Sequence, residues 1–388
     1  LKEIGAFFNL FHGLRQKKRR YEMLKKPWKK EEMRRHRALG AVFAAVFLIG
    51  LVVAFGSIAL AADPEVIKLK FSTSFMPPEP PNVQAMHTLD AVEKKTNGRV
   101  KIERHLAGAL GGPKEQLGLV KSGAVDIISL HIDQYPQDLP LHQITNTEQL
   151  VTNAQGVKNV TAIIQEIPET KKLFEAEQKK NNIKVLYFHA NGPTGLTPRF
   201  AAKSLADLKG KKVNVITAFQ RDVFKEMGWI PVNVAIPELY EGLSRGVIDC
   251  IFMATAAVLP LKWNEVGKSH LYFGDNTVIS TPLAFNLDTW NKLPKDIQQA
   301  FLDASRETAQ WSIQENDNFL KATYGAFEKA GAPPVRVSDA ERARFFTILF
   351  KHQEANNRKI AKAAGVEKEQ QVIQKVWNEM KWGKWKGK

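Results

Sequence analysis

Two stretches about 120 residues apart repeat one supersecondary pattern, and this repeat constrains the fold more than any other feature of the chain. Residues 113–122 read as a helix that opens on Pro113 and stops at Gly123, followed by a strand over 124–130 (Ala-Val-Asp-Ile-Ile-Ser-Leu). Residues 237–245 repeat the scheme, with Pro237 near the start, Gly246 as the stop and a strand over 247–253 (Val-Ile-Asp-Cys-Ile-Phe-Met). Proline suits a helix start because its missing N–H is not needed there, and glycine suits the position just past the end because it adopts positive φ without strain. In both units an aspartate, Asp126 or Asp249, falls three residues after the glycine. One such unit in each half predicts two similar α/β lobes. In sheets of this kind ligands bind at the carboxyl ends of the strands. The loops 130–135 and 253–258 are therefore expected to face a cleft between the lobes.

The rest of the chain fits that frame. Residues 66–75 alternate as a strand, with Ile67, Leu69, Phe71 and Thr73 on one face and Lys68, Lys70 and Ser72 on the other. A helix over 82–96 ends at Asn97-Gly98, and 100–104 reads as the next strand. From Pro294 a helical pattern runs to about Lys329, with Ile297, Phe301, Ala304, Thr308, Trp311 and Phe319 as candidate buried positions. At 1.5 Å per residue it is about 54 Å long, enough to brace both lobes. Ser338 to Glu341 is a capping box that opens a further helix. The expected division is a basic leader over 1–61, a first lobe from 62–190 and about 280–318, and a second lobe with the C-terminal helices from 191–279 and about 319–388.

Residues 1–61 hold 13 Lys/Arg against 4 Asp/Glu, so the leader carries +9 of the net +16. The remainder is only mildly basic, with no motif that would focus it on nucleic acid. The uncharged apolar run over 38–62 follows Arg34, Arg35 and Arg37, the charge order of a secretory signal, and Ala59-Leu60-Ala61 places a cut after Ala61. The same run is long enough to stay in a bilayer as an anchor, which would make the protein a membrane-anchored ligand sensor. Trp377, Trp382 and Trp385, set among lysines, read as a solvated tail.

Enzyme signatures are absent from the sequence. There is no nucleophile elbow, phosphate loop or His-Glu-x-x-His helix. His131 and Asp133 stand two apart without a third ligand, so they read as a polar loop rather than a metal site. Cys250, the one cysteine, falls in an apolar run and reads as a buried core thiol. Neither a cofactor nor catalysis is expected.

Leu110-Gly111-Gly112, the first repeat unit, the run Leu205-Ala206-Asp207-Leu208-Lys209-Gly210-Lys211-Lys212-Val213, the Val247-Ile248-Asp249 unit and the Leu293-Pro294 entry into the long helix together resemble the solute-binding proteins of TRAP (tripartite ATP-independent periplasmic) transporters. The resemblance covers about residues 67–337. It implies a two-lobed α/β periplasmic-binding fold with hinge strands and a long bracing helix, a small organic ligand in the cleft, and delivery to the membrane subunits of an ion-driven TRAP permease. Most members hold an organic acid with an arginine after the Lys-Gly-x-Lys-hydrophobic motif, a fork matched to two carboxylate oxygens. Here that position is Asn214, a second arginine position is Thr194, and a frequent asparagine position is Met253. Two expectations follow. In one, Asn214 and Thr194 give hydrogen bonds and Met253 and Phe252 line a pocket for a neutral or apolar ligand; in the other, Arg221 or Arg199 restores acid binding from a new place. Phe75, at the end of the first strand, and His131 and Gln134, on the predicted cleft loop, are further candidates.

Overall fold

The structure, a computed structural model, describes residues 66–381. The expected leader, its cleavage site and the tail residues Trp382 and Trp385 lie outside the described residues. Among the described residues no helix is long and apolar enough to cross a membrane.

The chain starts in the first lobe with β1 (Ile67–Thr73), α1 (Pro80–Lys95), β2 (Val100–His105), α2 (Gln116–Ser122), β3 (Ile127–Ser129), α3 (Asn153–Thr161), α4 (Pro168–Lys180) and β4 (Ile183–His189). It crosses into the second lobe as β5 (Thr194–Pro198) and continues through β6 (Lys212–Val215), α5 (Ala218–Glu226), β7 (Ile230–Asn233), α6 (Leu239–Ser244), β8 (Cys250–Ala254), α7 (Trp263–Val266) and β9 (Leu271–Tyr272). It then returns as β10 (Thr281–Asn286), followed by α8 (Leu287–Lys292), α9 (Lys295–Lys329), β11 (Val335–Arg336), α10 (Asp339–Ala364) and α11 (Glu367–Met380). The first sheet has the order β2-β1-β3-β10-β4 and the second β11-β9-β5-β8-β6-β7. Each is parallel except where the strand from the crossing enters: β10 runs antiparallel to β3 and β4, and β5 antiparallel to β8 and β9.

The period-two pattern of the strands divides each sheet between two cores. In β10, Leu283 and Phe285 pack with α1, α8 and α9, while Ala284 faces the opposite layer. In β8, Cys250 and Phe252 face α5 and α10, while Ile251 and Met253 face α6 and α7. Both faces are therefore covered by helices, as parallel sheets require. Cys250 is fully buried and burial raises its thiol pKa, so it serves as core.

Both repeat units form, but with shorter helices and strands than the sequence predicts: the helices start at Gln116 and Leu239, two or three residues past Pro113 and Pro237. Gly123 and Gly246 each adopt φ of +76°, and the next residues are still bonded to the helix: Ala124 N donates to Leu119 O at 3.0 Å and Ile248 N to Gly242 O at 3.1 Å. Pairing as a strand starts only at Ile127 and Cys250. The two aspartates have the same role. Asp126 N donates to Lys70 O and its carboxylate accepts from Lys70 N; Asp249 does the same with Lys212. Each carbonyl then accepts from the strand brought in by the crossing, Asn286 N for Asp126 and Arg199 N for Asp249.

Two expectations about the C-terminal part need correction. Trp377 is not a solvated tail residue: it is fully buried on α11, with Ile373 and Met380, in the core of the first lobe. Residues 319–388 therefore do not all belong with the second lobe, since α10 packs on the second sheet and α11 on the first. Of the lysines that suggested a tail, Lys375 is exposed on the outer face of this helix, whereas Lys381, just past its end, is 2% exposed.

α9 spans 35 residues, and its buried face changes character along its length. Ile297, Phe301 and Ala304 are apolar, whereas Thr308, Ser312, Asn316 and Thr323 are polar and also buried. The polar stretch meets backbone that leaves the sheets and has no ladder partner. Asn316 Nδ2 donates to Ala190 O, where β4 ends. Gln84 of α1 completes the clamp, donating to Ala190 O at 2.7 Å and accepting from Ala190 N at 2.9 Å. Trp311 is half-buried and stacks on His87 with centroids 4.1 Å apart. Replacing Gln84 by alanine leaves a buried peptide group short of partners, so unfolding free energy in urea should fall by about 2–3 kcal/mol with an unchanged m-value. A loss below about 0.5 kcal/mol would show that water satisfies Ala190 instead.

Candidate ligand-binding cleft

The segments that follow β3 and β8, one from each sheet, line one cleft. Its volume is about 1000 Å³ counting the solvent at its mouth. His131 and Asp133 come from the loop after β3, and Met253, Ala254 and Ala257 from the end of β8 and the turn beyond it. Ile216 and Thr217 follow β6, and Phe219 opens α5. The crossing adds Asn191 and Thr194, and α10 adds Leu349 and Gln353.

Of the residues singled out from sequence, Phe75, His131, Thr194, Phe252 and Met253 line this cleft. Phe75 and His131 stack with ring centroids 3.9 Å apart. Burial lowers the pKa of His131, so its imidazole is neutral near pH 7. Gln134 lines an adjoining recess with Asp133, to which its amide donates, and does not reach the main cleft.

Asn214 is a correction. It is fully buried and does not line the cleft; its Oδ1 accepts from Phe252 N at 2.7 Å. β6 and β8 pair in register at Val213 and Cys250, and beyond that point the Phe252 N–H needs an acceptor, which the Asn214 side chain supplies. The two arginines proposed as replacement clamps are also elsewhere. Arg221 is exposed on α5, and Arg199 is exposed with its Nη1 3.9 Å from Asp249. No lysine or arginine is among the residues lining the cleft.

Sequence reasoning missed Glu79, Glu148, Asn191 and Gln353. Glu79 opens α1, and its Oε1 accepts from Met76 N at 2.7 Å. Glu148 sits in an irregular segment, and Gln353 is more than 200 residues away on α10, so no spacing links them. Glu148 is 5% exposed. Its Oε2 lies 3.4 Å from the Asn276 side-chain amide, whose donors and acceptors are satisfied when its oxygen accepts from Thr194 Oγ1 and N at 2.8 and 3.1 Å and its amino group donates to Gly274 O at 3.0 Å. An amide oxygen then faces Glu148, which favours the protonated acid, and burial pushes the carboxyl in the same direction, up to about 7.

A carboxyl whose pKa is raised in the folded state stabilises most below its unfolded value near 4.5, and that contribution is lost as pH rises to about 7. Glu148→Gln removes the loss. The stability difference between variant and wild type should therefore grow in the variant's favour by about 3 kcal/mol between pH 4.5 and 8, as measured by urea unfolding. A difference that stays flat with pH would mean that Glu148 ionises normally.

The comparisons with known proteins agree with this arrangement. The profile of bacterial extracellular solute-binding protein family 7, DctP, matches residues 71–358. The C4-dicarboxylate-binding periplasmic protein DctP of Rhodobacter capsulatus is 23% identical over 281 residues, covering 71% of this chain and 83% of that one. The 2,3-diketo-L-gulonate-binding periplasmic protein YiaO of Escherichia coli is 23% identical over 314 residues, 80% of this chain and 92% of that one. Among solved structures, a TRAP periplasmic solute binding protein from Desulfovibrio salexigens superposes with a TM-score of 0.70 at 23% identity, covering 83% of this chain and 98% of that one. A marine metagenome TRAP solute binding protein specific for aromatic acid ligands, in complex with metahydroxyphenylacetate, gives 0.69 at 20% identity, covering 81% and 98%. The family is one of solute-binding proteins rather than enzymes. This chain, with two α/β lobes around a ligand-sized cleft, belongs to bacterial extracellular solute-binding protein family 7.

Proposed function

We propose that this protein is the periplasmic receptor of a TRAP-type transporter, closing its two lobes on a small organic molecule and presenting it to the membrane subunits of an ion-gradient-driven permease. The basic leader and apolar run of 1–61 then serve export, and relatives whose names describe periplasmic binding proteins support that placement. The ligand has an apolar body and is not a simple carboxylate. One observation carries this part: a cleft bounded by Phe75, Phe219, Phe252, Met253 and Leu349 offers no lysine or arginine to pair with an acid. A buried carboxylate without a partner loses several kcal/mol of hydration that nothing here replaces.

Native mass spectrometry of protein purified from the periplasm, followed by denaturation and identification of what is released, tests the reading. A released compound without a carboxylate is expected, and adding it back at a hundredfold excess over its Kd should stabilise the protein by about 2.7 kcal/mol. Recovery of a simple carboxylate would overturn the ligand part and leave the receptor. A protein that releases nothing and is stabilised by no small molecule would overturn the receptor itself.

A further inference from the structure

We propose that the cleft recognises its ligand through a positive charge: an ammonium group on a small, largely apolar molecule, bound between the Glu148 carboxylate and the Gln353 Oε1 atom. This rests on the receptor reading above and names the substrate class for the same cleft.

The charge balance of the lining points this way. Its titratable side chains are Glu79, His131, Asp133 and Glu148, three carboxyl groups and one imidazole that burial holds neutral. Lys359 borders the adjoining recess but is exposed and does not line the cleft. Glu79 and Asp133 already accept hydrogen bonds from Met76 N and from the Gln134 amide. Glu148 has neutral neighbours, Thr194 and Asn276, and no cation beside it.

A second observation is independent of charge. Gln353 is 2% exposed, lines the cleft, and donates from Nε2 to Asn146 O at 3.3 Å. That bond decides which end of the amide is which, and it leaves Oε1 as a buried acceptor with no partner in the protein. Buried polar groups in native proteins are almost always satisfied, so an orphan at a binding site marks where a ligand donor belongs. An ammonium brings three donors and one positive charge, which answers both the orphan acceptor and the carboxyl. A ligand carboxylate would answer neither and would add a fourth acidic group. The phenyl walls, Phe75, Phe219 and Phe252, take the apolar body.

Binding is then coupled to a proton. In the empty cleft Glu148 holds its proton up to about pH 7, and an ammonium ion displaces it, so one proton goes to solvent for each ligand bound below that pH. Affinity should rise about tenfold per pH unit below neutrality and level off above it.

The test is isothermal titration of the ligand-free protein with 2-phenylethylamine, 3-phenylpropionate and 2-phenylethanol from pH 5.5 to 9, in two buffers of different ionisation enthalpy. The amine stays protonated throughout, with a pKa of about 10 like that of a lysine side chain. The expected result is binding of the amine in preference to the acid by at least about tenfold, with about one proton released at pH 6 and none at pH 9. Glu148→Gln should lose that preference and the pH dependence. Gln353→Leu should weaken the amine while keeping its pH profile. Preference for the alcohol or the acid, amine binding without proton release, or binding of none of the three would overturn the cation reading. The receptor reading is judged separately, by the compound that native mass spectrometry recovers.

Discussion

Asp126 and Asp249 hold the architecture together at equivalent points in the two lobes. Each uses its own N–H and carboxylate on one residue of the neighbouring parallel strand, Lys70 or Lys212, and offers its carbonyl to the antiparallel strand that arrives from the crossing. One residue therefore joins three strands and sets the register of β3 or β8 against both neighbours. Because the period of a strand is two, a slip of one residue would turn Ile128 or Phe252 to the wrong core. The same register delivers His131 and Met253 to the mouth of the cleft. The carboxylates are spent on the fold, and the ligand site a few residues later depends on them.

The hinge poses a different problem. A chain that leaves one sheet for another exposes peptide groups without ladder partners, and buried peptide groups need partners. Ala190 is met by Gln84 and Asn316, and Thr255 O by Thr323 at 3.4 Å. This is why the middle of α9 buries threonine, serine and asparagine where an ordinary core helix buries leucine. The brace is bonded to the crossing backbone, so the two lobes are joined through specific hydrogen bonds as well as through covalent strands.

Asn214 shows how a side chain next to the cleft can serve the sheet instead. With asparagine at position 214, the side chain turns inward and closes the gap between β6 and β8, where a guanidinium would be too large and too costly to bury unpaired. The charged groups of the lining are carboxyls, Glu79, Asp133 and Glu148, beside amides and hydroxyls, and the walls include phenyl rings and aliphatic side chains. Burial raises the Glu148 carboxyl to about 7, which makes the site responsive to pH in the neutral range.

Local signals in the chain determined a good deal by themselves. The helix–glycine–aspartate repeat carries the two-lobed α/β fold, because a short helix, a positive-φ stop and an alternating strand act within a dozen residues. The long helix after Pro294 and the loops that carry His131 and Met253 were legible for the same reason. Tertiary structure decided what depends on distant neighbours. Whether Asn214 faces ligand or strand is set by where β8 lies, and whether Trp377 is tail or core is set by the first lobe on which α11 packs. Glu148 and Gln353 enter one cleft only because α10 packs where it lines that cleft. No periodicity connects residues from an irregular segment and a helix 200 positions later, and burial, which shifts the carboxyl of Glu148, is a property of the assembled neighbours rather than of the residue.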